Sequence, residues 1–236
     1  MSKHHNRSEL RFLILMAVFI GAILWSLPSD ERELSPAQCD TLYEAGEAEY
    51  LKDFLFDEDW DFAARICNNH ETALLNALHF LKNTRFLLPD SEAEFDFYEW
   101  AKAIKPIFRK RDILAYSGIA NFAENSIDIS YFKLEENDVI SIANIIVHEL
   151  RHLEEGFDTH TSCTEIANAT CDVKLEDNPF EGGAYNYNVA YLYHLIEYGE
   201  ITRTQRFSAQ RLLSLILEER INLIQPQLRE KYEKAL

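Results

Sequence analysis

Two histidines stand four residues apart in a run that otherwise reads as a buried helix, "NIIVHELRHLEEG", Asn144–Gly156. Val139, Ile142, Ile146, Leu150 and Leu153 step by three and four and make one apolar stripe. Ser141, Ile145, His148 and His152 make a second stripe, turned away from the first. Asn137 or Asp138 can cap the start and Gly156 can end it. A fold built on this segment must pack one side of the helix and keep ring nitrogens gathered on the other.

The flanking sequence predicts an α+β domain, predominantly helical, with a small antiparallel sheet. Residues 37–85 carry helical periodicity, with apolar faces such as "ALLNALHFL". "LLPDSEAEFDFYEWAKAIKPIF" reads as turn, helix and a stop near Pro106. "DILAYSGIANF" and "NSIDISYF" read as strands joined at "AEN"; in the second, Ile127, Ile129 and Tyr131 alternate with Ser126, Asp128 and Ser130. A further helix is expected from Asn178 as cap and Pro179 as first residue, through "NPFEGGAYNYNVAYLYHLIEYG". Thr202–Leu236 is expected to be helical, broken at Pro226.

Histidines at i and i+4 of a helix project in parallel, one turn apart, and can reach one metal ion. The glutamate between them can reach a water activated by that metal without being a ligand itself. His148 and His152 are therefore candidate metal ligands and Glu149 a candidate general base.

A strand followed by His148-Glu149-Leu150-Arg151-His152 on a helix resembles the zincin metallopeptidases. The resemblance covers residues 111–198 and implies one zinc ion and hydrolysis of a peptide bond. It also implies a third protein ligand. In the metzincin pattern glycine follows the second histidine by three residues and the ligand follows by six; Glu155 and Asp158 occupy those places, with glycine at 156 and histidine at 160. The glycine is off register by one residue and the histidine by two, which sets His160 and Asp158 aside. The gluzincin arrangement, a glutamate on a later helix, is matched by Glu181 in an E-x-x-A context with Ala184. Asn178 and Glu181 also fit a capping box, which competes for the same carboxylate. Tyr185, one turn beyond Glu181, is a candidate to steady the developing oxyanion; Tyr187, Tyr191 and His194 are further options. By the same analogy the strand "SIDISYF" is expected to pair with an extended peptide. The other reading is a catalytically silent zincin-like module that binds or regulates a partner. The motif also fits hydrolysis of a non-peptide amide.

The start of the chain is separate. "RFLILMAVFIGAILWSL" has basic residues before it and mostly acidic ones after it. That charge order predicts a basic cytoplasmic tail over 1–11, a transmembrane signal-anchor over 12–27, a linker over 28–36 and an extracytoplasmic domain over 37–236. No small-x-small cleavage site follows the run, which separates it from a cleaved signal peptide that would release the domain. The four cysteines, Cys39, Cys67, Cys163 and Cys171, all follow the apolar run. An exported domain favours disulfides, and Cys39–Cys67 with Cys163–Cys171 closes the shortest loops among three pairings; four buried thiols is the alternative. Asn168-Ala-Thr170 is a glycosylation acceptor pattern. A formal charge of −17 argues against nucleic acid as a partner.

Overall fold

The computed structural model describes residues 34–86, 95–155, 182–219 and 226–236; of 219 and 226–229 only the backbone is described. The tail, apolar run and linker up to 33, together with Asp158, His160, Cys163, Asn168, Cys171, Asn178, Pro179 and Glu181, lie outside these residues. The chain divides into Met1–Glu31 and Arg32–Leu236, and only the second contains described residues. Among the described residues no helix is long and apolar enough to cross a membrane.

The domain is mixed α/β, mostly helical, with one small sheet. Helix α1 (Pro36–Ala45) starts at a capping box between Ser35 and Gln38, with proline at its first position. It runs on through a π-helical turn, Gly46–Tyr50, and ends at Leu51–Asp53. Cys39 on α1 forms a disulfide with Cys67, as the loop lengths predicted. Helix α2 (His70–Asn83) is capped by Asn69, and α3 (Phe97–Ile104) by Asp96. Lys105 ends α3 at φ 52°, the left-handed exit, before Pro106.

The sheet has strands β1 (Leu55–Phe56), β2 (Ile107–Arg111), β3 (Gly118–Asn121) and β4 (Ser126–Ser130), in the order β1-β2-β4-β3. β3 and β4 form the expected antiparallel hairpin, turning through Phe122–Glu124 and a left-handed Asn125. The rest corrects the antiparallel expectation: β1 pairs with β2, and β2 with β4, in parallel. Parallel neighbours need crossovers, here α2 and α3 between β1 and β2 and strand β3 between β2 and β4, so no local turn signal announces them. The strand expected from Asp112 begins only at Gly118, since residues 112–117 are not in a strand, and β2, Ile107–Arg111, was not expected.

Phe108, Ile127 and Ile129 point from the sheet into the core, all with no exposed surface. Helix α4 (Tyr131–Glu136) takes up residues expected to extend β4. Helix α5 (Val139–His152) follows, and Asp138 caps it, accepting from the amides of Ile140 and Ser141. Eleven of its fourteen residues are buried, because α2, α6 (Ala184–Tyr198), α7 (Arg203–Glu219) and β3 all pack on it. Leu150 has no exposed surface, and trimming a residue so placed to alanine destabilises a fold by about 2–5 kcal/mol. Helix α8 (Pro226–Glu233) begins at Pro226, where a break was expected.

Helix α6 starts later than the sequence suggested. Gly183 is its N-cap and Ala184 its first residue, and Gly182 is not helical. Two adjacent glycines, each less favourable in a helix than alanine by about 1 kcal/mol, set the start of α6 at Ala184. A continuous helix from Pro179 through Tyr185 is therefore excluded, and with it the argument that Tyr185 faces as Glu181 does.

Candidate metal centre

One turn of α5 separates His148 from His152, and their Nε2 atoms lie 3.3 Å apart. Two nitrogens bound to one tetrahedral ion, with bonds of about 2.0–2.1 Å, stand about 3.3–3.4 Å apart. The spacing is the bite of such an ion. His152 is 4% exposed, whereas His148 is only partly buried.

The other nitrogen of His148 is held from α6. Its Nδ1 lies 2.6 Å from Asn188 Oδ1, and Asn188 Nδ2 donates to Asn144 O and Oδ1 at 2.8 Å each. A backbone carbonyl only accepts, so the amide nitrogen faces Asn144 and the amide oxygen faces the ring. Nδ1 of His148 must then carry the proton, which leaves the Nε2 lone pair aimed at His152. His152 has two arrangements open to it: Nε2–H donating to His148, or a second lone pair converging on the first. A cation between the rings, or a water donating to both, stabilises the second.

Glu149 lies 7% exposed beside this pair, and its Oε2 accepts the backbone N–H of Ala120 at 2.9 Å. Strand β3 meets α5 closely because residue 118 is glycine: a Cβ there would stand 2.7 Å from Ile145 Cγ2 and 3.1 Å from Glu149 Oε1. Ser130 donates its N–H to Ser117 O across the β3–β4 ladder. Alternation along an antiparallel pair then turns the N–H and C=O of Gly118 and Ala120 away from β4, toward the open edge. The Ala120 N–H that meets Glu149 is one of these outward groups.

This corrects the expectation for "SIDISYF". Its strand, β4, has β2 on one side and β3 on the other, so it has no edge to offer a peptide. Among the described residues the edge strands are β1 and β3, and β3 is the one that meets Glu149.

Tyr185 stands against His148, with ring centroids 4.6 Å apart. Packing of α6 on α5 puts it there, at the second position of α6. The alternatives are core. Tyr187 lies 3% exposed beneath the Arg151 guanidinium, whose carbon is 4.7 Å from its ring centroid, and burial raises its pKa to about 12. Tyr191 is buried against Phe97, and burial raises its pKa too. His194 is 4% exposed between Phe86 and Tyr198.

Among the described residues no group of three or more histidine, cysteine, aspartate or glutamate side chains is placed to hold a metal. Glu181 lies outside those residues, but its neighbour does not: Arg151 Nε donates to Gly182 O at 3.0 Å, which holds Gly182 against α5. Arg151 also pairs with Glu154, whose Oε1 accepts from Trp100 Nε1 at 3.1 Å.

Sequence reasoning missed Asn144, Asn188, Gly118 and Ala120. A signal existed for the two asparagines: each interrupts a run of apolar residues on its helix, and a buried amide needs partners. Nothing local marks Ala120, which acts through its backbone.

Compared with family models, with curated proteins and with solved structures, the chain gives no match in any of the three.

Proposed function

We propose that the chain is a zinc-dependent peptidase of zincin type, carried outside the cytoplasm on an N-terminal membrane anchor. His148 and His152 hold the zinc ion, with Glu181 as the third protein ligand. The reading rests chiefly on the 3.3 Å spacing of the two Nε2 atoms, which fits a tetrahedral ion. Zinc at that point supplies Lewis acidity and brings the pKa of water from 15.7 down toward about 7.

Glu149, one residue on from His148, takes a proton from the attacking water and passes it to the leaving amine. The Ala120 amide holds one of its oxygens, so the carboxylate is aimed before substrate arrives. Tyr185 gives its hydroxyl proton in a hydrogen bond to the developing oxyanion. An extended peptide lies along the open edge of β3, paired with the outward groups of Gly118 and with Ala120 O.

The test is zinc content and peptide cleavage by the full-length chain. Glu149→Gln is expected to keep about one zinc per chain and to lower kcat by about 10²–10⁴. His148→Ala is expected to lose the metal. A wild type that takes up no zinc sinks the proposal.

One observation favours the silent module. The Ala120 N–H already takes up Oε2 of Glu149, which withdraws that oxygen from the proton transfer. In that case zinc binds, and a broad peptide library stays uncut by wild type and Glu149→Gln alike.

A further inference from the structure

We propose that Asn188 is a positioning residue: with Asn144 it presets His148 as a metal ligand before any metal arrives. The part concerning zinc affinity rests on the zinc reading above; the part concerning the proton on His148 does not.

An isolated neutral imidazole samples both tautomers, and only the one protonated at Nδ1 offers Nε2 to a metal. Asn188 is 1% exposed, so its amide groups must find partners inside the protein. Its Nδ2 finds two acceptors on Asn144, one turn before His148 on the same helix. The contact with the backbone carbonyl fixes the amide against a flip, since the reverse would set an oxygen 2.8 Å from Asn144 O. The Oδ1 is thereby committed to the ring at 2.6 Å.

The side chain at 188 thus has two tasks: to donate to a helix carbonyl and to accept from an imidazole. An amide does both. The usual partner of a metal-binding histidine is a carboxylate, a backbone carbonyl or water. A carboxylate at 188 would satisfy the ring but turn an oxygen onto Asn144 O and Oδ1. The two tasks can therefore be separated by substitution. Asn188→Ala removes both. Asn188→Asp keeps the acceptor at Nδ1 and loses the donation to Asn144.

The experiment has two readouts on the full-length chain. The first is the ring ¹⁵N spectrum of metal-free protein at about pH 8, above the usual histidine pKa near 6.5, with His148→Gln to assign the signals. Wild type is expected to carry the His148 proton on Nδ1; a proton on Nε2 overturns the proposal, whatever the variants do. The second is zinc affinity set beside thermal stability. Asn188→Ala is expected to weaken zinc about 10–100-fold. Asn188→Asp is expected to stay within tenfold of wild type in affinity while melting lower than wild type. If instead the folded Asp variant binds zinc as weakly as the Ala variant, so that affinity follows melting temperature, Asn188 is a tie between helices and the proposal fails. A wild type with the proton on Nδ1 that binds no zinc overturns the zinc reading and supports the tautomer assignment, so the two failures are distinguishable.

Discussion

Glu149 Oε2 accepts the backbone N–H of Ala120 at 2.9 Å, so the carboxylate of the His-Glu-x-x-His helix is fastened to the edge strand of the sheet. The proposed base and the proposed peptide-binding edge are mechanically one unit. A change in either should be felt by the other.

Gly118 is the residue that allows this approach. Gly118→Ala puts a methyl group 2.7 Å from Ile145 Cγ2 and 3.1 Å from the Glu149 carboxylate. Overpacking of this kind destabilises by about 1–3 kcal/mol, so the urea midpoint should fall. Cleavage should fall further than stability explains, because Glu149 is pushed off its aim. Wild-type activity and midpoint in this variant would refute the close approach.

Tyr185 is predicted to act on the reaction, not on the metal. Tyr185→Phe keeps the ring beside His148 and removes the hydroxyl. The expectation is unchanged zinc content and a kcat lowered about 10²-fold, in the range seen when an oxyanion donor is lost. An equal rate would return Tyr185 to the role of a packing residue.

Lys110 and Glu71 form a buried ion pair, their side chains 11% and 7% exposed. Burial works to raise the Glu71 pKa. The hydrogen bond from Lys110, the backbone amides of Asp61 and Glu71, and the Lys110 charge outweigh it, so the carboxyl stays below its usual range. A depressed carboxyl pKa contributes stability above its unfolded value, near about 4.3, and loses it as pH falls through the folded value. Lys110→Met strands the charge on Glu71 and should cost about 3–5 kcal/mol at neutral pH. Denaturant midpoints measured from pH 7 down to about pH 3 should show the gap between wild type and variant narrowing as pH falls toward the depressed wild-type pKa of Glu71. A gap independent of pH would mean that lost packing, not charge, is responsible.

The Cys39–Cys67 bond spans 28 residues and ties α1 to the loop before α2. Cys67→Ser is expected to lower stability by about 2–4 kcal/mol, chiefly by freeing the unfolded chain. Reductant should shift the wild-type midpoint further than the variant's, by a similar amount. If reductant moves neither protein, the cross-link is absent in solution.

Much of the centre could be read from residue order alone. The period of Ile142, Ile146 and Leu150 and the cap at Asp138 were enough to place α5 and to set two histidines on one face. The sheet was harder. Three basic residues, Arg109, Lys110 and Arg111, disguise β2, because the partners that take up Lys110, the Glu71 carboxylate and the Trp60 ring, are far along the chain. Parallel pairing has no local signature at all. The start of α6 went wrong where two local signals disagreed, a cap at Asn178 against glycines at 182 and 183. Asn188 could not be placed beside His148 by any local rule, since 40 residues separate them.

The contact between Arg151 and Gly182 O has an evolutionary corollary. It fastens the residue just before α6 directly to α5, so the two helices are tied by a contact of their own. A relative that keeps Arg151 keeps that tie whatever side chain stands at 182, because the acceptor is a backbone carbonyl.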